Sequence, residues 1–303
     1  MFSVIVPVHN KLPHIERCVG SVLNQSFANF ELILVDDAST DGSSEKLLEF
    51  TDKRIQILRR DVPGRGGYAA RNLGIQRATF SWISFLDADD EWDIDLLQRV
   101  YDVIANHPDA GIVSCGWAEK VEGISHSRSL ERGQGEIKTF VLEDFLRKPE
   151  LMWTGGISMK KAVLIEAGLF PTCPECKAGG DFDTWIRALD VSPKNFYVDE
   201  ILSFYFRDSV NRVTDFSRNP NDHFCAGGSL RRIYATATRS SLKEAIRAFV
   251  NLQVYVILKR LISSGHTPTK KLLTEFYRDL RLPMYLAKLS TLFVLKSVKR
   301  LIE

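Results

Sequence analysis

The first third of the chain alternates between two hydrophobic patterns, one typical of buried strands and the other of amphipathic helices. Continuous apolar runs rich in β-branched residues predict strands, whereas apolar residues at three- and four-residue spacing predict helices. The predicted strands are 2–8, 30–35, 54–60, 82–86 and 111–117. The predicted helices are 15–23, 44–50, 67–78 and 95–106. Strands that alternate with helices of this length indicate βαβ units, hence an α/β fold with a doubly wound, mostly parallel sheet.

The pattern changes twice further along the chain. From 118 to 220 the apolar spacing is irregular and interrupted by glycine and proline. After about residue 225 the spacing becomes helical, and Pro268 and Pro283 separate the helical segments. These changes predict an α/β domain over 1–220 and a helical C-terminal extension over 221–303.

The charged residues divide the chain in a similar way. The whole sequence of 303 residues is 45% hydrophobic, and this fraction excludes disordered, collagen-like and coiled-coil classes. Its net charge is only +2. Residues 1–230 nevertheless hold 25 basic and 34 acidic side chains, whereas residues 231–303 hold 15 basic and 4 acidic ones. An acidic body with a basic tail raises the question of a membrane or polyanion partner.

The cysteines and the N-terminal segment favour a cytoplasmic location. The chain has five cysteines, which is an odd number, and a chain of this length needs no disulfide scaffold. Reduced thiols are therefore expected. Cys173 and Cys176 form a single Cys-x-x-Cys pair, for which plain thiols are favoured and a metal or redox role remains open. The first seven residues lack the basic start of a signal peptide, and no uncharged window is long enough to span a membrane.

Basic and apolar residues interleave at helical spacing in the C-terminal region, over 243–262 and 284–303. Such helices can lie in the headgroup layer of an anionic membrane. They can equally pack on the protein with their basic face in solvent, and both interpretations remain open. Membrane contact through 243–303 predicts a peripheral protein on the inner face of the cell membrane. No nucleic-acid-binding motif accompanies the charge, so nucleic acid is not expected as a partner.

Polar side chains follow or end three predicted strands: His9 and Asn10, Asp36 and Asp37, and the segment 87–90 with three aspartates. Ligands of an open parallel sheet bind beyond the carboxyl ends of its strands. Carboxylates gathered there repel one another unless a cation lies among them. Oxygen ligands suit Mg²⁺ or Mn²⁺ together with a phosphate-bearing ligand. The alternative is that these residues cap helices and line solvated turns.

A glycine-rich segment precedes Arg71, between the acidic strand ends. Gly64, Gly66 and Ala69 match a dinucleotide-binding fingerprint only weakly, and they follow the third strand instead of the first. A Rossmann cofactor is therefore not expected. Small residues at a helix start let a ligand approach the backbone, and Arg71 can neutralise the charge of that ligand.

Four strings occur in a characteristic order: Val4–Asn10, Val35–Gly42, Ala70–Gly74 and Phe85–Asp90. Together they resemble the family 2 glycosyltransferases, and the resemblance covers roughly residues 2–215. It implies a glycosyltransferase-A fold and inverting transfer from a nucleotide-diphosphate sugar, usually a UDP-sugar.

The resemblance also implies a donor site. Its nucleotide-binding residues would be Pro7, His9, Asn10, Asp36, Asp37, Arg71 and Asp87. Asp37 would accept a hydrogen bond from the base, with Asp36 supporting it. Asp87 and Asp89 match an Asp-x-Asp pair that binds the ribose and a Mn²⁺ or Mg²⁺ ion bridging the diphosphate, and Asp90 is a further candidate for that work.

The catalytic base implied by the resemblance is Asp181, at the start of a predicted helix. Gly180 stands where the family usually has a glutamate, which leaves the base in place but removes the acceptor contacts of that glutamate. Asp181 also suits a helix N-cap, and both roles are compatible.

Acceptor and diphosphate contacts are implied further along. Trp153, Trp185 and Asp183 are the acceptor candidates, and for the two tryptophans stacking on a sugar or packing in the core are both open. Arg207, in a closing segment, is a candidate for the diphosphate.

These features predict an inverting, metal-dependent hexosyltransferase that moves a hexose or N-acetylhexosamine from a UDP-sugar to a glycan or lipid-linked saccharide. Bacterial surface polysaccharide or lipopolysaccharide synthesis is the expected setting. Two alternatives remain: a nucleotidyltransferase of similar fold, although the glycine-rich triphosphate loop after the first strand is missing, and a non-catalytic glycan-assembly protein.

Overall fold

The computed structural model describes residues 1–121, 124–127, 135–172, 179–210, 226–263 and 283–291. The chain divides into two compact units, Met1–Phe216 and Ser217–Glu303. The first unit is mixed α/β, and the described part of the second is helical.

The first half of the α/β unit contains every strand and helix that the hydrophobic pattern predicts, with ends shifted by a few residues. The helix α1 shows why: its buried side consists of Ile15, Cys18, Val19 and Val22, at the spacing of one helical face. The elements are β1 Phe2–Val8, α1 Ile15–Leu23, β2 Phe30–Asp37, α2 Ser43–Leu47, β3 Ile55–Arg60, α3 Tyr68–Arg77, β4 Trp82–Phe85, β5 Glu91–Trp92, α4 Leu96–Asn106 and β6 Ile112–Val121.

The second half of this unit mixes short strands with short helices, in keeping with its irregular pattern. Its elements are β7 Ile124–Ser127, β8 Ile137–Phe140, α5 Leu142–Arg147, β9 Ile157–Lys160, α6 Lys161–Glu166, α7 Gly180–Val191 and β10 Asn195–Phe206. The long strand β10 pairs with three neighbours and joins this half to the rest of the sheet.

The ten strands form one sheet in the order β3-β2-β1-β4-β9-β6-β10-β5, with β7 on β6 and β8 on β10. The strands β3, β2, β1 and β4 are parallel, as are β6 and β10. The strand β9 runs antiparallel between β4 and β6. Most paired positions are parallel, so the predicted α/β fold with a mostly parallel sheet is confirmed.

The strand order places a crevice beside β1. The chain leaves β1 for β2 and β3 on one side and returns to β4 on the other, which makes the β1–β4 border a topological switch point. The pairing of β1 with β4 ends at Ile5 and Phe85, whereas its pairing with β2 continues through Pro7 and Val35. Proline has no N–H to donate and is tolerated beyond the end of a neighbouring strand. The carboxyl ends of β1 and β4 therefore lie at the switch point, which is where ligands of an open α/β sheet bind.

The described part of the second unit consists of three helices, α8 Gly227–Thr236, α9 Ser240–Ser263 and α10 at 283–291. Tyr255 of α9 and Tyr285 of α10 stack with ring centroids 4.9 Å apart. Ala245, Ile246 and Phe249 are buried, which favours protein packing over membrane insertion for the apolar side of α9. Among the described helices, none combines the length and the hydropathy that crossing a membrane requires.

Candidate active site

The ends of β1 and β2 are joined by hydrogen bonds through the residues that follow them. The His9 Nδ1–H donates to the carbonyl oxygen of Asp37 over 2.7 Å. The Asn10 side-chain oxygen accepts the N–H of Thr40 over 2.8 Å, and the Asn10 N–H donates to Ser39 Oγ over 3.1 Å. His9 and Asn10, both predicted for the nucleotide pocket, thus shape one continuous rim over two strands.

Among the described residues of the α/β unit, three that are not glycine adopt the left-handed backbone region. They are Asn10 with φ 54°, Ala38 with φ 58° and Leu169 with φ 60°. Such conformations cost of order 1–3 kcal/mol each and persist where the surrounding structure requires them. Asn10 and Ala38 come directly after the strands at the crevice, as expected for a ligand-binding rim.

The two aspartates at the end of β2 have different partners. Asp36 is 2% exposed and accepts hydrogen bonds from the Ser39 N–H over 3.0 Å and from Ser44 Oγ over 2.5 Å. Asp37 pairs with Arg60 and accepts the N–H of Gly64 over 3.0 Å. Asp36 therefore stabilises the turn, and Asp37 lies toward the glycine-rich segment.

Arg71 and Asp87 form an ion pair between α3 and the loop after β4, in which Arg71 is buried and Asp87 is partly exposed. Arg71 is 5% exposed, and its Nη1 also donates to the carbonyl oxygen of Gly66 over 2.9 Å. Burial alone lowers the pKa of Arg71, but the carboxylates of Asp87 and Asp181 outweigh burial and raise it. The Arg71 Nε finds no partner among the described residues, so the fixed cation retains an unused donor.

Asp89 is held by a lysine that follows β1. The Lys11 ammonium lies 2.6 Å from Asp89 Oδ2 and also donates to the carbonyl oxygen of Val210 over 2.7 Å. Arg17 adds a hydrogen bond to the backbone carbonyl of Asp89. A cationic side chain thus occupies the position beside this carboxylate that the sequence predicts for a metal ion.

The donor set after β4 fits a hard divalent cation that brings its own phosphate oxygens. Asp87 and Asp89 supply carboxylate oxygens, and Mg²⁺ is commonly bound by one or two carboxylates together with substrate phosphates. The described residues contain no cluster of three or more His, Cys, Asp or Glu side chains suited to a metal. An ion at this place would therefore depend on the ligand as well as on the protein.

Asp90 differs from its two neighbours because it is fully buried. Its Oδ1 accepts the N–H of Phe206 at the end of β10 over 3.1 Å, and its Oδ2 has no partner among the described residues. Burial, then the charges of Asp89 and Asp87, raise the pKa of Asp90 well above its ordinary value. Its side chain joins β10 to the acidic loop, which is a structural role, and its part in metal binding stays a prediction.

Asp181 lies in the first turn of α7, after Gly179 in the left-handed conformation. Its Oδ1 accepts the N–H of Phe182 over 2.9 Å. Burial raises the pKa of Asp181; Asp87 adds to this effect, and the Phe182 N–H and Arg71 oppose it. The fold thus brings Asp181 to the Arg71–Asp87 pair although more than ninety residues separate Asp181 from Asp87 in the sequence.

Two of the acceptor candidates are buried, and for Trp185 the structure favours core packing, one of the two open alternatives. Asp183 is buried and pairs with Arg187 over 2.9 Å, and Arg187 also binds the carbonyl oxygens of Ala167 and Leu169. Its carboxylate therefore anchors the loop before α7. Trp185 is 1% exposed, so no sugar can stack on its ring. Its ring packs in the core against Phe85 and Phe170.

Trp153 and Arg207 occupy more open positions. The Trp153 ring stacks on Trp117 at 4.3 Å, meets Tyr205 edge-on at 4.9 Å and stays partly exposed. Arg207 follows β10, is about half exposed and pairs with Glu119 over 3.6 Å. Their acceptor and diphosphate roles stay predictions. Cys173 and Cys176 lie outside the described residues.

Three residues that build this site have no role in the sequence-based prediction: Lys11, Tyr68 and Asn72. Asn72 exchanges two hydrogen bonds with the backbone of Phe170, at 2.9 and 3.0 Å, and thereby attaches the loop before α7 to α3. Tyr68 accepts the N–H of Gly180 over 2.9 Å. The sequence contains one signal for Tyr68: it precedes Arg71 by three residues, a spacing that places the two side chains next to each other on a helix.

Comparison with known proteins agrees with this geometry. Residues 3–166, slightly more than half of the chain, match the family described as Glycosyl transferase family 2. UDP-Glc:alpha-D-GlcNAc-diphosphoundecaprenol beta-1,3-glucosyltransferase WfgD of Escherichia coli is 39% identical over 98 residues, 32% of this chain and 38% of that protein. The putative teichuronic acid biosynthesis glycosyltransferase TuaG of Bacillus subtilis is 40% identical over 101 residues, 33% of this chain and 40% of that protein. These matches span about two fifths of each relative.

Solved structures share the fold. The crystal structure of S. aureus TarS 1-349 in complex with UDP-GlcNAc superposes with a TM-score of 0.71 at 17% identity, over 100% of this chain and 92% of that chain. The complex of the same protein with UDP gives a TM-score of 0.68 at 18% identity, with the same coverage. The predicted glycosyltransferase-A fold is confirmed.

Proposed function

Because the chain belongs to glycosyl transferase family 2, we propose that it transfers a hexose or N-acetylhexosamine from a UDP-sugar to a glycan, with inversion and with a divalent metal ion. The observation that carries this proposal is the electrostatic influence of the Arg71–Asp87 pair on Asp181, whose helix α7 is held to α3 by the Tyr68–Gly180 hydrogen bond. A fixed cation suited to a diphosphate and a base suited to an acceptor hydroxyl thus interact electrostatically. Catalysis then belongs to the predicted domain 1–220.

The nucleotide binds at the rim formed by the ends of β1 and β2. Pro7, His9 and Asn10 line the pocket, and Asp37 accepts a hydrogen bond from the uracil. The solved complexes of TarS with UDP-GlcNAc and UDP, which share the fold, support a uridine nucleotide. Arg71, which pairs with Asp87, supplies the positive charge that the diphosphate requires.

Asp87 and Asp89 hold a Mn²⁺ or Mg²⁺ ion in this proposal. When bound, such an ion stabilises the negative charge of the departing UDP as a Lewis acid. Lys11 contacts Asp89 over 2.6 Å, so it must release that carboxylate when a cation binds, and it is then placed to contact a phosphate oxygen.

Asp181 takes the proton from the acceptor hydroxyl while the oxygen attacks the sugar from the face opposite the UDP. This geometry inverts the anomeric centre. Burial raises the pKa of Asp181, which makes the ionised carboxylate a stronger base than an exposed aspartate. Arg71 limits the rise, because a base with too high a pKa would be protonated at working pH.

The acceptor is a glycan or lipid-linked saccharide in bacterial surface polysaccharide or lipopolysaccharide synthesis. The names of two relatives support this choice, since one acts on GlcNAc-diphosphoundecaprenol and the other belongs to teichuronic acid biosynthesis. Trp153 and Arg207 are the residues proposed to face the acceptor and the diphosphate. The protein works at the cytoplasmic face of the membrane.

A panel of nucleotide sugars with Mn²⁺ tests the proposal without knowledge of the acceptor. We expect hydrolysis of one UDP-sugar, loss of that hydrolysis on chelation, and weaker UDP binding in Asp89→Ala. Asp109→Ala is the matched control, because Asp109 is an exposed aspartate that pairs only with the surface residue Lys194 in the described structure. Absence of turnover for every sugar nucleotide, together with unchanged UDP binding in Asp89→Ala, contradicts the proposal.

A second variant separates catalysis from a non-catalytic role. Asp181→Asn keeps the acceptor atom for the Phe182 N–H but cannot take a proton. Transfer should fall by about 10²–10⁴ while UDP binding stays unchanged. Equal transfer rates in Asp181→Asn and the wild type would exclude Asp181 as the base. Release of pyrophosphate from UTP would instead indicate a nucleotidyltransferase.

A further inference from the structure

Tyr68 connects the helix that carries Arg71 to the helix that carries Asp181. It is the first residue of α3 and only 5% exposed. Its hydroxyl oxygen accepts the N–H of Gly180, the first residue of α7, over 2.9 Å. The first N–H groups of a helix have no partner inside that helix. The phenol of α3 therefore caps α7 from outside, one residue before Asp181.

Two glycines make room for the Tyr68 ring. A Cβ atom at Gly180 would stand 2.7 Å from ring carbons Cε2 and Cζ of Tyr68, and a Cβ at Gly66 would stand equally close. Gly66 also has φ 61°, so its backbone conformation favours glycine in any case. Gly180 is not among the glycines with positive φ. Pro171 Cγ would lie 2.8 Å from the same Cβ. The space that the Tyr68 ring and Pro171 occupy, and not the backbone, is therefore what requires glycine at position 180.

Tyr68 and Arg71 lie on the same face of α3. Tyr68 and Arg71 are three residues apart, the spacing of side chains that are neighbours along a helix. Arg71 pairs with Asp87, and Tyr68 holds Gly180. Phe170 packs against both, stacked on the Tyr68 ring at 6.0 Å and 5.5 Å from the Arg71 guanidinium. The helix α3 thus contacts both Asp87, proposed for donor binding, and the first turn of α7, which carries the proposed base.

We propose that Tyr68 is a positioning residue for Asp181, acting through the N–H of Gly180 and the first turn of α7. The inference rests on the proposed function, in which Asp181 is the base. It also assigns a reason to the glycine before the base: the Tyr68 ring takes the place in which a side chain at position 180 would lie. A side chain there and the phenol at position 68 are alternatives that exclude each other.

Tyr68→Phe removes the capping oxygen and keeps the ring, so the core packing is preserved. A misplaced base slows the chemical step without weakening the donor site. We therefore expect kcat to fall by about 10- to 100-fold, with KM for the UDP-sugar and the affinity for UDP unchanged. Tyr101→Phe is the matched control, because Tyr101 lies exposed on α4 and packs on Phe27. It should leave kcat and KM unchanged.

A double substitution tests the exclusion between positions 68 and 180. Gly180→Glu should be nearly inactive because its Cβ meets the Tyr68 ring, and Tyr68→Ala should be slow because the cap is lost. The double variant Tyr68→Ala/Gly180→Glu should exceed Gly180→Glu in kcat, since the ring no longer blocks the new side chain and only Pro171 still crowds it. It should not exceed Tyr68→Ala, because both variants lack the cap. Strong non-additivity of this sign is the signature of two residues that share one space.

The outcomes separate this inference from the proposed function. If the wild type turns over a UDP-sugar but Tyr68→Phe keeps its full kcat, the positioning role is wrong and the function stands. The exclusion between positions 68 and 180 is wrong if the double variant is no faster than Gly180→Glu. If the wild type turns over no sugar nucleotide, the proposed function fails and this inference fails with it.

Discussion

The aspartates of the candidate site differ because their surroundings differ. Asp37, Asp87 and Asp89 each pair with a basic side chain, whereas Asp90 and Asp181 have raised pKa values because burial disfavours their charged forms. Carboxylates with a cationic partner suit ligand binding through charge, and a carboxylate with a raised pKa suits proton transfer. The same residue type thus has distinct proposed roles that depend on neighbours distant in the sequence.

The pH dependence of transfer should report Asp181. Its carboxylate accepts a proton only when ionised, so kcat/KM should fall as the pH drops through its pKa. Because burial raises that pKa, the acidic limb should lie above the ordinary aspartate value of 3.8. Removal of the opposing charge in Arg71→Gln should move the limb to still higher pH. A limb that does not move in Arg71→Gln would contradict the assignment, and Asp109→Asn serves as the control.

Ionisation of Asp181, which transfer requires, should make the folded protein less stable. Folded Asp181 binds its proton more tightly than the unfolded chain, so the free energy of unfolding decreases as the pH rises from the unfolded to the folded pKa. Asp181→Asn removes this dependence and should have a Tm at neutral pH equal to or above that of the wild type, although it is inactive. Thermal unfolding at several pH values measures this; a clearly lower Tm at neutral pH would contradict it.

Asp183 should matter for stability and not for the acceptor. Asp183→Ala leaves the Arg187 guanidinium in a largely buried position without its carboxylate. Removal of one member of a buried pair typically costs about 3–5 kcal/mol, and we expect the lower end because a remnant of each side chain is exposed. Chemical denaturation measures the loss, with Asp109→Asn at an exposed pair as a control that changes little.

At the level of elements, the helices α3 and α1 differ in how closely their glycines are packed. The helix α3 crosses β1 through Gly74, where an added Cβ would stand 2.5 Å from Ile5 Cγ2. The helix α1 contains Gly20, around which no atom lies within 4 Å of an added Cβ. The close approach of α3 is what brings Tyr68 and Arg71 to the crevice.

Two alanine substitutions distinguish these glycines. Gly74→Ala should lower the free energy of unfolding by about 1–3 kcal/mol, because the methyl group displaces α3 from β1. Gly20→Ala should raise the free energy of unfolding by about 0.5–1 kcal/mol, since alanine favours the helix and meets no neighbour. Urea denaturation of the two variants provides the comparison. Equal effects of the same sign would show that α3 is not closely packed.

At the level of the whole molecule, charge separates the two units. The acidic excess lies in the region with the strand-end carboxylates, and the basic excess lies in the helical region. In the described part of that region the apolar residues of α9 are largely buried, while Lys259 and Arg260 are exposed. Electrostatic attraction to anionic headgroups is therefore the proposed form of membrane contact, and not insertion of α9.

Binding to vesicles should depend on lipid charge and on salt. We expect the protein to bind vesicles with anionic phosphatidylglycerol but not vesicles of phosphatidylcholine alone. Lys259→Glu/Arg260→Glu should weaken this binding, since each basic residue near an anionic surface contributes about 1 kcal/mol. Sedimentation with vesicles at low and high salt measures it. Equal binding to both lipids, or no effect of salt, would contradict an electrostatic contact.

The sequence by itself determined the local elements and the family. Strand and helix periods depend on residues close together in the chain, so the pattern through residue 121 predicted each element there except β5, whose two residues are too few to show a period. The strings around Asp37, Arg71 and Asp87 likewise sufficed for the family, because each is a contiguous stretch.

Only the tertiary structure decided what each side chain faces. Trp185 and Asp183 stand beside the predicted base in the sequence, yet packing places one in the core and the other on Arg187. Lys11 reaches Asp89, and Tyr68 reaches Gly180, across 78 and 112 residues. Such contacts depend on strand order and on how closely helices approach the sheet, and these result from burial summed over the whole chain. No local pattern contains that sum, so the partners of the site residues appear only in the folded protein.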